Sequence, residues 1–203
     1  RNSADGLRGY LLMNLGLKIT GLTEVKKMFD ENKKTITDAV KNLNGTDLKA
    51  SFPNIGLDLD LSEFAQANKP LIEIQKGIKK AHMKAVKLMA AEFSKALDDA
   101  MESNVWDWKG DTRDIIDTGE LKNSKKVIVD SDGDIHVFYG TDYAAIVHYG
   151  GYFYPYGHEN AKTFYPGRPW VKSLIEGGGP IDQFDFNTIY GILFVSELNK
   201  LIS

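Results

Sequence analysis

Histidines and carboxylates are the groups that hold protons or metal ions near neutral pH, so they are weighed first. His136, His148 and His158 fall in one stretch of the chain with Asp142 and Glu159. His148 and His158 are ten residues apart across a Gly- and Pro-rich segment, which is not the i, i+4 spacing of a helical zinc motif. A metal-dependent hydrolase using His148, His158 and Glu159 near Asp142 is therefore an alternative reading. Ordinary surface or interface histidines are the simpler one. The run DSDGD (130–134) looks like part of a calcium loop. A calcium loop counted from Asp130 needs Gly at its sixth position and Glu at its twelfth, and Ile135 and Thr141 stand there. A hairpin turn explains the run. Asp111, Asp114 and Asp117 recur at three-residue steps and read as an acidic solvated loop.

Nucleophile and phosphate motifs are missing. There is no Gly-x-Ser-x-Gly, no Gly-x-x-x-x-Gly-Lys and no dinucleotide fingerprint, and GGGP (177–180) does not open a phosphate-binding helix. No catalytic, cofactor or metal residue is expected. Lys76, Lys80, Lys84 and Lys87 form a stripe that suits DNA phosphates, and also suits any solvated helix face. A DNA-contacting accessory protein is thus the third reading. The strongest anomaly is aromatic. Tyr139, Tyr143, Tyr149, Tyr152, Phe153, Tyr154, Tyr156, Phe164, Tyr165 and Trp170 crowd the stretch 139–170. Tyr and Trp combine large area with a polar handle and are enriched at protein interfaces. An exposed loop this aromatic is costly in a lone monomer, so the segment reads as a docking surface, with a sheet core plus an aromatic-rich loop as the alternative.

The elements that must position these residues follow from periodicity. Residues 15–20 alternate as a short strand, and 22–43 carry Leu22, Val25, Phe29, Ile36, Val40 and Leu43 at helical spacing. Residues 44–70 are an excursion, with an edge strand at 55–61. Pro70 suits the first turn of a long helix running to about Ser103. Its apolar face is read as Leu71, Ile74, Ile78, Ala81, Ala85, Leu88 and Ala96. Its last turns carry Asp98, Asp99 and Glu102, poorly placed against the helix dipole. Residues 104–125 read as acidic and irregular. A hairpin spans 126–140 about Asp132-Gly133. Residues 139–149 read as a sheet end and 150–167 as an irregular aromatic loop. A short helix or turn follows Pro169, and a final helix at 185–203 is capped by Asp185 or Asn187.

The whole chain has 203 residues, 42% hydrophobic and 26% charged, an ordinary globular composition. It has no cysteine, which excludes disulfides and thiolate metal sites. A net charge of −3 gives no global drive toward nucleic acid. No apolar run approaches the ~20 residues of a membrane span. The opening residues show no signal-peptide pattern, and without an initiator Met the chain reads as a fragment or a processed product.

The order of these pieces resembles the tail-completion, or virion morphogenesis, family of tailed bacteriophages. The resemblance rests on Ile19, Gly21, Leu22, Glu24 and Val25 before the first helix. It rests next on Asp117, Thr118, Gly119, Leu121 and Ser124, the family's Asp-Thr-Gly-x-Leu-x-x-Ser. Tyr143, Ala144 and Gly150 match its Tyr-Ala motif, and Arg168, Pro169 and Trp170 its Arg-Pro-Phe. The match spans about 15–43 and 71–176. The excursion at 44–70, the enlarged loop 151–167, Trp170 for Phe and the last helix depart from it. The resemblance implies a non-enzymatic protein of the phage neck or tail that needs no cofactor, assembles in the host cytoplasm and resides in the virion. Its partners would be copies of itself in a ring, other neck, connector and tail proteins, and DNA close by in the channel, with no membrane. The docking residues would be Tyr143, Tyr149, Tyr152, Phe153, Tyr154, Tyr156, Phe164, Tyr165, Arg168 and Trp170. The expected fold is α+β: a small, mainly antiparallel sheet packed on the long helix, with extra N- and C-terminal helices. Residues 1–180 would form one domain with the 44–70 insertion, and 181–203 a helical extension.

Overall fold

In the computed structural model, described over residues 17–19, 30–31, 33–35, 37–38, 49–52, 57–60, 71–153 and 162–202, the chain is α+β. Its dominant element is helix α1 (Leu71–Glu102), 32 residues and so about 48 Å long. The other elements are short. Strands β1 (Leu17–Ile19), β2 (Lys49–Phe52) and β3 (Leu57–Asp60) precede α1. Strands β4 (Trp106–Trp108) and β5 (Asp111–Arg113), helix α2 (Glu120–Asn123), and strands β6 (Lys125–Val129) and β7 (Ile135–Tyr139) follow it. Then come α3 (Ala144–Tyr149), β8 (Gly151–Phe153), β9 (Thr163–Tyr165), α4 (Trp170–Glu176) and α5 (Phe186–Ile202). The described residues between 30 and 38 are helical, within the helix expected at 22–43.

One sheet has the order β1-β7-β6, with β1 antiparallel to β7 and Leu17 opposite Tyr139. The β6–β7 turn is built by Asp130, whose Oδ1 accepts the main-chain N–H of Asp132 and of Asp134 at 2.9 Å. The DSDGD run is thus an Asx-stabilised hairpin turn. The other sheets are two-stranded: β2–β3, β4–β5 and β8–β9, all antiparallel. Two of them correct the sequence reading. Residues 106–113 are a hairpin and not irregular. Its central residues Lys109 and Gly110 both have positive φ, as the tight primed turns require. The flanks of the aromatic loop also pair, Tyr152 lying opposite Phe164. A third correction concerns 144–149, which is helical and not the end of a sheet.

The chain groups into two compact units. Unit 1 comprises 1–20, 94–127 and 136–184; unit 2 comprises 21–93, 128–135 and 185–203. In unit 2, the first part of α1 packs on α5. Phe93 meets Phe186 with ring centres 5.0 Å apart, and the Tyr190 hydroxyl lies 2.7 Å from His82 Nδ1. Lys84 and Lys200 both pair with the buried Glu197, at 2.7 and 2.6 Å. Asp185 caps α5, its Oδ1 accepting the Thr188 N–H at 3.1 Å. The buried stripe of α1 runs Ala81, Ala85, Met89, Phe93, Leu97 and Met101. Leu88, expected in the core, is 38% exposed. Four-residue steps advance about 400° around the helix, so the stripe drifts by about 40° per step and passes through 89.

In unit 1, the acidic end of α1 meets Lys125 and Lys122. Lys125 Nζ lies 2.6 Å from Asp98 Oδ1, and Lys122 pairs with Glu102. These cations offset the unfavourable dipole noted above. On β7, Ile135, Val137 and Tyr139 face inward while His136 and Phe138 face the other way. Trp106 anchors β4 on α1 through Nε1, which donates to the Ala100 carbonyl at 2.7 Å.

Candidate functional site

The residues matching the Asp-Thr-Gly-x-Leu-x-x-Ser pattern do structural jobs around α2. Gly119 precedes the helix at φ 80°, ψ −4°, a left-handed conformation that favours glycine. Thr118 Oγ1 accepts the Glu120 N–H at 3.3 Å, and Leu121 is buried. Ser124 Oγ donates to the Leu121 carbonyl at 2.7 Å and accepts the Gly140 N–H at 3.1 Å. That single hydroxyl ties α2 to the end of β7.

The second and third motifs meet at a backbone crossing. Gly150 has φ 77°, ψ 172°, and an added Cβ there would lie 2.6 Å from the Gly167 nitrogen. A Cβ on Gly167 would lie 2.6 Å from the Tyr149 carbonyl carbon. The Arg168 N–H donates to the Val147 carbonyl at 2.9 Å across this crossing. Pro169 then precedes α4, and Trp170 enters the core, its Nε1 donating to the Tyr139 hydroxyl at 2.9 Å. Trp170 and Arg168 are 0% and 2% exposed. Both were read as docking residues; the fold uses them internally, and neither offers a surface to a partner.

The remaining docking candidates divide clearly. Tyr149, Tyr152 and Phe164 are 67%, 62% and 55% exposed, and Tyr143 is 39% exposed. Tyr152 and Phe164 are cross-strand neighbours with ring centres 5.3 Å apart at 63°. Lys162 Nζ lies 5.0 Å from the Tyr152 ring centre. Tyr165, on the opposite side of β9 from Phe164, is half-buried against Trp108 at 4.9 Å. Tyr154 and Tyr156 lie outside the described residues, and of Phe153 the backbone alone is described.

A cavity of about 370 Å³ lies in unit 1, and Asp117, Thr118, Gly119, Leu121, Tyr143 and Arg168 are among the residues that line it. Trp108 and Arg113 complete its aromatic and basic wall. Three cations surround the Trp108 ring: Lys109 at 5.2 Å, Arg113 at 5.3 Å and Arg168 at 5.3 Å. Arg168 also lies 4.9 Å from the Tyr165 ring centre, and its Nη1 donates to the Asp114 carbonyl at 2.8 Å. Burial, and then the like charge of Arg113, lowers the Arg168 guanidinium to about 10, against the opposing field of Asp114. Burial raises the Tyr143 phenol, helped by Glu120, whose Oε2 accepts from its hydroxyl at 3.4 Å.

Trp108 and Arg113 were not singled out in the sequence. The available signal was the alternation Trp-Asp-Trp-Lys-Gly-Asp-Thr-Arg, an NG-like turn between aromatic and basic residues. Trp106 pairs with Arg113 and Trp108 with Asp111, so Trp108 and Arg113 are diagonal neighbours on one face.

His148 is buried, which corrects its reading as a surface histidine. It packs edge-on to Tyr149 at 4.4 Å and Trp170 at 4.8 Å, and its Nε2 faces the Lys172 N–H at 3.4 Å. Burial, then the Lys172 charge, lowers it to about 4, so it is neutral at pH 7. Its proposed co-ligands His158 and Glu159 lie outside the described residues. Among the described residues, no group of three or more His, Asp or Glu could hold a metal ion. Asp111 Oδ1 accepts the Thr112 N–H at 2.8 Å, a local turn bond. Lys76, Lys80, Lys84 and Lys87 all lie on the exposed side of α1, and Lys84 is engaged by Glu197.

No described helix is long and apolar enough to cross a membrane. No protein-family model matches this chain, and neither does any curated protein or solved structure.

Proposed function

We propose that this chain is a structural assembly protein that joins copies of itself into a ring at the neck or tail of a bacteriophage particle. The observation that carries the reading is the exposed aromatic group Tyr149, Tyr152 and Phe164, displayed on α3 and the β8–β9 hairpin. Three large rings left in water on α3 and the adjoining β8–β9 pair are unfavourable in a lone monomer and favourable once a partner covers them. Aromatic anchors of this kind dominate the energetics of protein interfaces. The Gly150–Gly167 crossing, the Arg168–Val147 bond and buried Trp170 hold the hairpin's base. The order of sequence motifs supports the phage setting, and with it the virion as the location and neck, connector and tail proteins as partners.

Native mass spectrometry of the purified chain tests the reading. A closed oligomer is expected, and Tyr152→Ser/Phe164→Ser should return it to monomers with unchanged circular dichroism. A wild-type chain that stays monomeric, together with particles that lack the protein yet still join tails to filled heads, would sink it.

A further inference from the structure

The cavity of unit 1 contains a buried cation with no bonded counter-ion. Arg168 is 2% exposed, and its Nε is buried without a hydrogen-bond partner. Its Nη1 is held by a main-chain carbonyl, that of Asp114, and no ion pair joins Arg168 or Arg113 to a carboxylate among the described residues. Asp117 lines the cavity but bonds neither guanidinium. Lys122, also on the lining, is already paired with Glu102. Two guanidinium groups therefore converge on one indole, Trp108, each 5.3 Å from its centre. Like charges drawn together beside a cavity, one with an unused buried donor, are stable only with help from an anion or at a cost in folding energy.

The geometry points to an anion receptor: we propose that this cavity binds a carboxylate carried on an apolar body. The carboxylate meets the Arg113 guanidinium and the edge of Arg168 that lines the cavity, and the body lies against Trp108, Ile115 and Val147. A guanidinium presents planar paired donors that fit a carboxylate two-on-two. The rest of the lining is largely apolar, with Met101, Ile116 and Ile146 among it, which suits an apolar body better than a phosphate. A volume of about 370 Å³ accommodates an aromatic acid or the last side chain and carboxylate of an inserted polypeptide. The shared chemistry is the same for a free organic acid and for a polypeptide end. The inference stands on unit 1 alone and does not depend on ring formation.

The experiment is a tryptophan-fluorescence titration of the full chain with benzoate, benzamide, inorganic phosphate, and a peptide ending in Phe with a free or an amidated C-terminus. Benzoate should bind saturably, and benzamide about ten-fold more weakly or worse, the factor expected for one lost charge-assisted bond. Arg113→Ala should weaken benzoate by about ten-fold or more while the ligand-free chain melts no lower than the wild type, and Arg113→Lys should fall between. If Arg113→Ala fails to fold, the benzoate–benzamide comparison on the wild type decides alone. The free-carboxylate peptide binding tighter than benzoate marks a polypeptide end as the source, and equal binding marks a free acid; either supports the proposal. Equal binding of benzoate and benzamide overturns it. So does full affinity in a folded Arg113→Ala, displacement of benzoate by equimolar phosphate, or no saturable response to either carboxylate.

Discussion

At the scale of single residues, the motif positions that suggested a family turn out to have local physical reasons. Gly150 is the clearest. Its φ of 77° with ψ of 172° is a region open essentially to glycine, and the space its Cβ would need is filled by the Gly167 backbone. Gly110, at φ 92°, has nothing within 4 Å of a Cβ position. Gly150→Ala should therefore cost about 3 kcal/mol or more, and Gly110→Ala about 1 kcal/mol, in urea unfolding. Equal costs would show that the crossing yields and that backbone strain alone counts. The sequence marks Gly150 as a motif position, yet the partner across from it, Gly167, carries no local signal, because a crossing between residues 17 apart is a tertiary fact. The same gap explains Arg168 and Trp170. An arginine and a tryptophan near a surface loop look like interface anchors, and only the fold shows Trp170 bonded to Tyr139 and Arg168 stacked against Trp108 and Tyr165.

At the scale of elements, helix α1 was legible because long apolar periodicity survives in any context, while its exact seam was not. The seam at Met89 in place of Leu88 is set by what packs on each turn. The β4–β5 and β8–β9 hairpins were missed because three-residue strands are too short to show alternation, and 144–149 passed for a strand because Ile146, Val147 and Tyr149 favour both states. What secures the acidic end of α1 was hidden too, since Asp98 and Glu102 find their cations on elements beyond the hairpin β4–β5. The two pairs differ in exposure. Lys125 and Asp98 have side chains 9% and 31% exposed, Lys122 and Glu102 29% and 53%. Removing one partner of the drier pair leaves a poorly solvated charge. Lys125→Met should cost about 1–3 kcal/mol and Lys122→Met under about 1 kcal/mol, measured by chemical denaturation. The reverse ranking would mean that the Lys125 ammonium contributes little to the join of β6 and α1.

At the scale of the whole molecule, among the described residues each unit carries one buried imidazole. His82 in unit 2 is lowered from 6.5 to about 4, first by burial and then by the Lys33 charge. His148 in unit 1 is lowered from 6.5 to about 4, first by burial and then by the Lys172 charge. The protonated form is disfavoured in the folded state, so the unfolded chain binds more protons between pH 6.5 and about 4. Stability is then fully present above the unfolded value of 6.5 and falls as pH drops through that window. Each unmatched proton contributes a slope of up to about 1.4 kcal/mol per pH unit. Glu197, held below the usual carboxylate range by Lys200 and Lys84, adds a loss in the same direction at still lower pH. Thermal unfolding followed from pH 7.5 down to pH 4 should show a melting temperature that is level near neutrality and declines below about pH 6.5. The double variant His82→Phe/His148→Phe removes both titrations, and whatever its absolute stability its curve should be flatter between pH 6.5 and 5. A wild-type curve that stays level to pH 5, or a double variant with an unchanged slope, would show that neither imidazole is held neutral by the fold.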